Sequence, residues 1–395
     1  MERVMALTVL SGLAVASAHA DAGGKLIVHE WGTFTSFAGP DGVPLDFRPL
    51  LESDLPNFVF DRARQAGATN PEAVASQKGQ IRATQRMETP ITYFYTERER
   101  EIDVRVHFPE GLLTEFYPPV SQQGPAYAAA QPEPLKDSFL HWASVRLSPG
   151  SAAAFPASET DAHYALARRS DSTPLRVSAA HGEHFEKFLF YRGVGNFSLP
   201  VSLQAAGGDR FVVESRLGEP GMSAFMVDVA GGRLRFVPIS CLVNDREARL
   251  PDQPSRPEAL SAAMVNALVG ANLYSKEAEA MVDTWRDSWF GEEGTRLLYL
   301  LGASTTNRIL PLSITPAPDE VVRVMVGRLE IMTPEREARL EESVRRLAGS
   351  PAGTLPPAEW AEWGRFAEPA LRKLAGAGRD EVLRSTATRL LDHMR

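Results

Sequence analysis

One cysteine, Cys241, is all the chain carries in 395 residues. No intrachain disulfide can form, so the fold must be held by its core, and at this length a sufficient core can be built. Cys241 lies in the apolar run Val237–Val243 and reads as a small buried hydrophobe rather than a reactive thiol. Positive charge is also in deficit, 42 Lys and Arg against 50 Asp and Glu. The formal net charge is -8, and Lys and Arg are scattered rather than striped, which excludes a nucleic-acid footprint. Beyond the N-terminus no stretch is apolar for the roughly 20 residues that a membrane-spanning helix needs.

The motifs of familiar chemistry are missing as well. There is no G-x-S-x-G elbow, no phosphate-binding G-x-x-x-x-G-K-[ST] or G-x-G-x-x-G, no H-E-x-x-H and no spaced cysteine set. Gly193–Asn196 (GVGN) reads as a turn or bulge after a buried strand. What remains is the composition of a globular protein, 44% hydrophobic and 23% charged.

The N-terminus has the form of an export signal. Arg3 precedes an apolar run from Val4 to Ala16, and Ala18-His19-Ala20 has the small-x-small form of a cleavage site. Residues 1–20 are therefore expected to be a signal peptide. The mature chain then begins at Asp21, outside the cytoplasm (periplasmic or secreted), with no lipid-anchoring cysteine after the site.

The first mature segment, Lys25–Ser36 (KLIVHEWGTFTS), is the most informative. Side chains of a strand alternate between its faces, so Ile27, His29, Trp31 and Thr33 share one face and Val28, Glu30, Gly32 and Phe34 the other. Both faces are largely apolar, the pattern of a central strand covered on both sides. Each carries one ionisable group, His29 or Glu30, and a charge removed from water needs a partner. The two serve one pocket only if Gly32 marks a bulge or a strand end.

Strand patterns then come in quick succession, among them Thr89–Thr96, Glu101–Phe108, Leu113–Tyr117, Phe139–Leu147 and Phe185–Tyr191. Glycines in Ala206–Asp209 and Ala230–Gly232 mark hairpins. Short strands without long helices between them predict an antiparallel sandwich over 21–251. From Asp252 helical periodicity sets in, with Ser275 as an expected N-cap and Ala278, Val282, Trp285 and Trp289 on one core-facing stripe. Strands at Thr295–Leu301 and Glu320–Met332 and closing helices complete a mixed region, 252–395, packed on the sandwich; if those strands join the sheet of the sandwich, the two parts are one compact body. The predicted class is a β-rich α+β protein.

The segment His29–Ser36 (HEWGTFTS) resembles the opening signature of a group of uncharacterised secreted bacterial proteins. METPITYFY at Met87–Tyr95, FLFYRG at Phe188–Gly193, DSWF at Asp287–Phe290 and VGRLE at Val326–Glu330 are similar to the same group. The resemblance implies an exported bacterial protein and carries no catalytic role across.

Candidate chemistry therefore rests on charges embedded in apolar strands: His29, Glu30, Glu88, Arg192 and Glu330, with Arg328 beside the last. They are expected either to pair as a buried network that fixes strand register or to converge as an acid/base or anchoring cluster. A metal site is the second choice. His181 and His184 lie three residues apart, and His29 would have to supply a third ligand for a divalent ion such as zinc. No other cofactor is predicted. Trp285 with Trp289, and Trp360 with Trp363, would be sugar platforms if exposed and core if buried. Two functions stay open: a non-catalytic binding or structural protein of the envelope with an unidentified ligand, or an exported hydrolase using a buried His/Glu/Arg cluster, metal-dependent or not.

Overall fold

The opening segment forms a central strand, as its double apolar face requires. In the computed structural model it is 12 residues long, Ile27–Ala38, and only its first residue is not buried. The structure describes residues 24–394, apart from 51–54, 69, 129–134, 153, 158–162, 181, 218–221, 241–243, 349–362 and 377–379. The signal segment, Cys241, His181 and Trp360 lie outside the described residues.

The central strand belongs to a nine-stranded sheet. In chain order its strands are β1 (Ile27–Ala38), β2 (Phe60–Asp61), β3 (Gln85–Tyr95), β4 (Gly111–Tyr117), β5 (Phe188–Gly195), β6 (Ala224–Ala230), β7 (Arg233–Ile239), β8 (Gly294–Leu301) and β9 (Glu320–Ile331). In space they run β7-β6-β8-β9-β1-β3-β5-β4-β2. Most pairs are antiparallel. The pair β1–β9 is parallel, with Ile27 opposite Glu320 and Ala38 opposite Ile331. Of the two arrangements that the sequence leaves open, the strands beyond 251 join the sheet that contains β1, and the parallel pair makes that sheet mixed rather than wholly antiparallel. Strands β8 and β9, from beyond that point, complete the sheet beside β1, and the long crossover from β1 to β9 permits the parallel pairing.

Alternation along β1 divides the molecule into layers. Val28 and Phe34 share a core with Val104, Trp142, Leu203 and Val213 of two smaller antiparallel sheets, so this side is a sandwich. Trp31 points the other way, into a core with Leu260, Met264, Val282 and Trp289 from the helices Pro257–Gly270 and Ser275–Phe290. At the far end of β1, Phe37 packs with Phe366, Leu371 and Leu390 of the C-terminal helical group. Fully burying each large side chain contributes roughly 1.5–3 kcal/mol. The class predicted from the sequence, β-rich α+β, is the one observed.

The sheet is irregular beside its buried charges. Between Trp31 and Thr33 on β1, the partner β3 passes from Ile91 to Glu88, so β3 carries one extra residue there. The bulge includes Thr89 at φ 49°, a left-handed conformation unusual for a β-branched residue. It lies against Gly32, as a bulge reading of that glycine anticipates. The register of β5 with β4 shifts as well, between Arg192 and Gly193.

Candidate functional site

All five strand-borne candidates are sealed: His29 is 1% exposed, Glu30 0%, Glu88 2%, Arg192 3% and Glu330 1%. They do not form one cluster. His29 and Glu30 stay on opposite faces, because the bulge lies beyond both of them on the chain.

His29 faces the helical layer. Its Nδ1 lies 2.8 Å from Glu277 Oε2, and the Tyr274 ring lies 4.4 Å away, centroid to centroid. Glu277 also accepts the Tyr274 backbone N–H at 2.8 Å and the Tyr95 hydroxyl at 2.5 Å. One carboxylate thereby caps the helix Ser275–Phe290 and pins the imidazole. The cap itself is Tyr274, one residue before the expected Ser275.

Glu30 faces the sandwich. Arg323, its register neighbour on β9, reaches Oε2 with Nε at 2.7 Å and Nη2 at 2.5 Å. Tyr191 and Thr92 donate hydroxyls to Oε1 at 2.6 and 3.0 Å. Asn307 and the Leu310 carbonyl accept from Arg323 Nη1. Each charged group thus has partners, the condition for tolerating an ion pair at zero exposure.

The other three candidates belong to a polar belt that crosses the sheet, from the C-terminal end of the helix Ser275–Phe290 to the helix Pro71–Lys78. Pairing register lays it out strand by strand. Arg296 on β8 stands opposite Glu330 on β9, and Arg328 on β9 opposite Thr35 on β1. Thr35 and Thr33 stand opposite Arg86 and Glu88 on β3, and Arg192 on β5 opposite Glu115 on β4, which faces Asp61 on β2.

Contacts join these positions. Arg328 Nε donates to Glu330 at 2.6 Å and its Nη2 to Glu292 at 2.7 Å. Arg296 reaches Glu330 at 3.0 Å, and its Nη1 donates to the Ser288 and Trp289 carbonyls at 2.9 Å each. A guanidinium thus satisfies the C-terminal end of the helix Ser275–Phe290, where cations are favoured. Arg86 lies 3.0 Å from Glu88, and Thr35 donates to Glu88 at 2.9 Å. Arg365 bridges Glu292 at 3.1 Å and Glu88 at 3.8 Å. At the other end Lys78 pairs with Asp61 at 2.7 Å and with Glu115.

The electrostatics reflect that crowding. Burial pushes the Glu88 carboxyl up, but Arg86, Arg365, Arg192 and Arg328 outweigh it and hold the group at about 2. Burial likewise opposes ionisation of Glu330 and Glu115. Arg296 and Arg328 win at Glu330, Lys78 and Arg192 at Glu115, and both carboxyls lie below their ordinary range. Arg86 moves the other way, lowered by burial and by Arg192 and Arg365 despite Glu88.

The second-choice metal set is not assembled by the residues described. His184 sits on the strand Gly182–Glu186 against Phe60 and Tyr117, whereas His29 sits among Tyr95, Tyr274 and Glu277. Among the described residues no group of three or more His, Cys, Asp or Glu side chains is arranged to hold a metal ion. Trp285, Trp289 and Trp363 are all buried, which makes them core. Sequence reasoning missed Arg296 and Glu115, although both interrupt apolar strands just as Glu330 does. Arg365, Glu292 and Lys78 lie outside the strands and gave no such signal.

Compared with known proteins, the chain matches no family model and no curated protein.

Proposed function

We propose that this is an exported, non-catalytic protein of the bacterial envelope that binds a ligand or partner. The observation that supports it is the sealing of every ionisable group nominated in the strands. A general acid or base must reach its substrate and titrate near the working pH. Glu88 is covered and held at about 2 by four arginines, both oxygens of Glu30 are engaged by Arg323, Tyr191 and Thr92, and His29 Nδ1 is engaged by Glu277. Such networks fix register and leave binding to the surface cavities. The export reading draws on the signal-like N-terminus and the secreted group that the sequence resembles. Among the described residues, no helix is long and apolar enough to cross a membrane.

The test is a hydrolase screen of the purified mature protein with chromogenic esters, phosphomonoesters, glycosides and peptides, run beside Glu88→Gln and His29→Gln. No turnover above the uncatalysed rate is expected. Turnover of any of these substrates above that rate would overturn the proposal, and its loss in either folded variant would name the buried group that carries it.

A further inference from the structure

Where the polar belt meets the C-terminal helices, three guanidinium groups line one small cavity. Arg48, Arg86 and Arg365 face a space of about 130 Å³ beside Thr35, with Phe37, Phe47 and Met394 as its apolar wall. Among the described residues the only carboxylate on the lining is Glu368, and it is already engaged. It accepts the Arg48 backbone N–H at 2.7 Å and Arg48 Nε at 2.8 Å, and Arg372 adds a third contact at 2.5 Å. Two more carboxylates lie behind the lining: Glu88, between Arg86 and Arg365 with Arg192 and Arg328 close enough to depress its titration, and Glu292, 3.1 Å from Arg365 Nε and also held by Arg328. Arginine therefore outnumbers carboxylate around this cavity, although the chain as a whole is acidic. A concave site walled by low-dielectric groups concentrates such a potential instead of letting water screen it.

Resting on the reading of a non-catalytic binding protein, we infer that this cavity is a binding site for a small carboxylate with a compact apolar body. The head is held by Arg365 and Arg86, since guanidinium forks match planar carboxylates. Arg365, 30% exposed, stands at the mouth, whereas Arg48 and Glu368 are nearly covered. The body lies against Phe37 and Phe47, whose rings meet edge to face at 4.8 Å. Size sets the class. An apolar cavity of roughly 150 Å³ holds benzene, so this slightly smaller space, about 130 Å³, takes a branched aliphatic body or at most one ring with the carboxylate left at the mouth, and has no room for a nucleotide or an oligosaccharide. Gly364, on the lining beside Arg365, has φ 49°, and no described residue lies within 4 Å of its Cβ position.

The experiment is calorimetric titration of the mature protein with benzoate and isobutyrate, with benzamide and inorganic phosphate as comparison probes. Saturable binding of at least one of the two acids is expected, with phosphate weaker and benzamide silent. Arg365→Gln should weaken it at least tenfold. Met394→Trp, which fills the apolar wall and leaves every arginine in place, should abolish it, and it keeps the test decisive if Arg365→Gln fails to fold. No saturable binding of either acid, equal binding of benzamide, or tighter binding of phosphate would overturn the assignment. Failure here removes this site alone, whereas turnover in the hydrolase screen removes the reading beneath it.

Discussion

Gly32 on β1 and Pro90 on β3 meet backbone to backbone: a Cβ atom on residue 32 would stand 2.9 Å from the nitrogen and Cα of Pro90. Real Cβ atoms do not come so close to backbone, and Met325 Sδ, at 3.0 Å, closes the other route of escape. The bulge in β3 is thus built against a missing side chain. Gly32→Ala is expected to destabilise the protein by about 2 kcal/mol, the scale of overpacking in a filled core. Urea denaturation checks it, and a variant as stable as the parent would mean that the bulge yields at no cost.

The Glu88 carboxyl supplies a pH dependence whose sign is fixed. Folded, it binds its proton near pH 2, against 4.5 ordinarily, so the unfolded chain takes up the proton first as pH falls. The stabilisation is complete above about pH 4.5 and gone below about pH 2. Glu88→Gln is expected to lower stability at pH 7 by about 3 kcal/mol and to remove roughly one proton's slope, about 1.4 kcal/mol per pH unit, between those limits. Glu330 and Glu115 shift in the same direction and leave part of the acid sensitivity in place. Melting curves from pH 2 to 7 measure it, and identical slopes in parent and variant would refute it.

Glu30 and Arg323 make a cleaner case, since both side chains are wholly buried. Removing one leaves the other charged in an apolar layer. Arg323→Met is expected to cost roughly 3–5 kcal/mol, and the double variant Arg323→Met with Glu30→Gln to recover much of that. Chemical denaturation of the set decides it. A double variant no better than the single one would show that the loss comes from packing and from the Asn307 and Leu310 contacts instead.

These pairings also mark what could be read from sequence. Alternation assigned Trp31 to one face and Phe34 to the other, and each lies in a different core. The pattern at Glu101–Phe108 found a strand that runs Arg100–Phe108. Period-two reasoning gives a face, however, and not a neighbour. Nothing local in β1 says that Glu30 will meet Arg323, 293 residues away. The bulge at Thr89 and Pro90 was hidden for a related reason. A proline within an aromatic run reads as a strand edge, and the positive φ falls on a threonine, not on a glycine. The cavity draws on Arg48, Arg86 and Arg365, from a loop, a strand and a short helical turn, so no single stretch carries it.

Processing at the N-terminus can be predicted to the residue. The small-x-small site ends at Ala20, and β1 is tied down just ahead of its first residue, where the Leu26 N–H donates to Asp319 at 2.7 Å. Cleavage before Asp21 would leave a short lead-in and keep β1 whole, whereas cleavage a few residues further on would remove the start of the central strand. Expressed with its full N-terminus in a bacterium, the protein is expected in the extracytoplasmic fraction with Asp21 as its first residue, read by intact mass and N-terminal sequencing. Ala20→Phe, which puts a bulky ring at the position that requires a small one, should leave the precursor uncut. A chain that keeps Met1 and stays in the cytoplasm would overturn the export reading and with it the envelope as the place where the arginine-lined cavity meets its ligand.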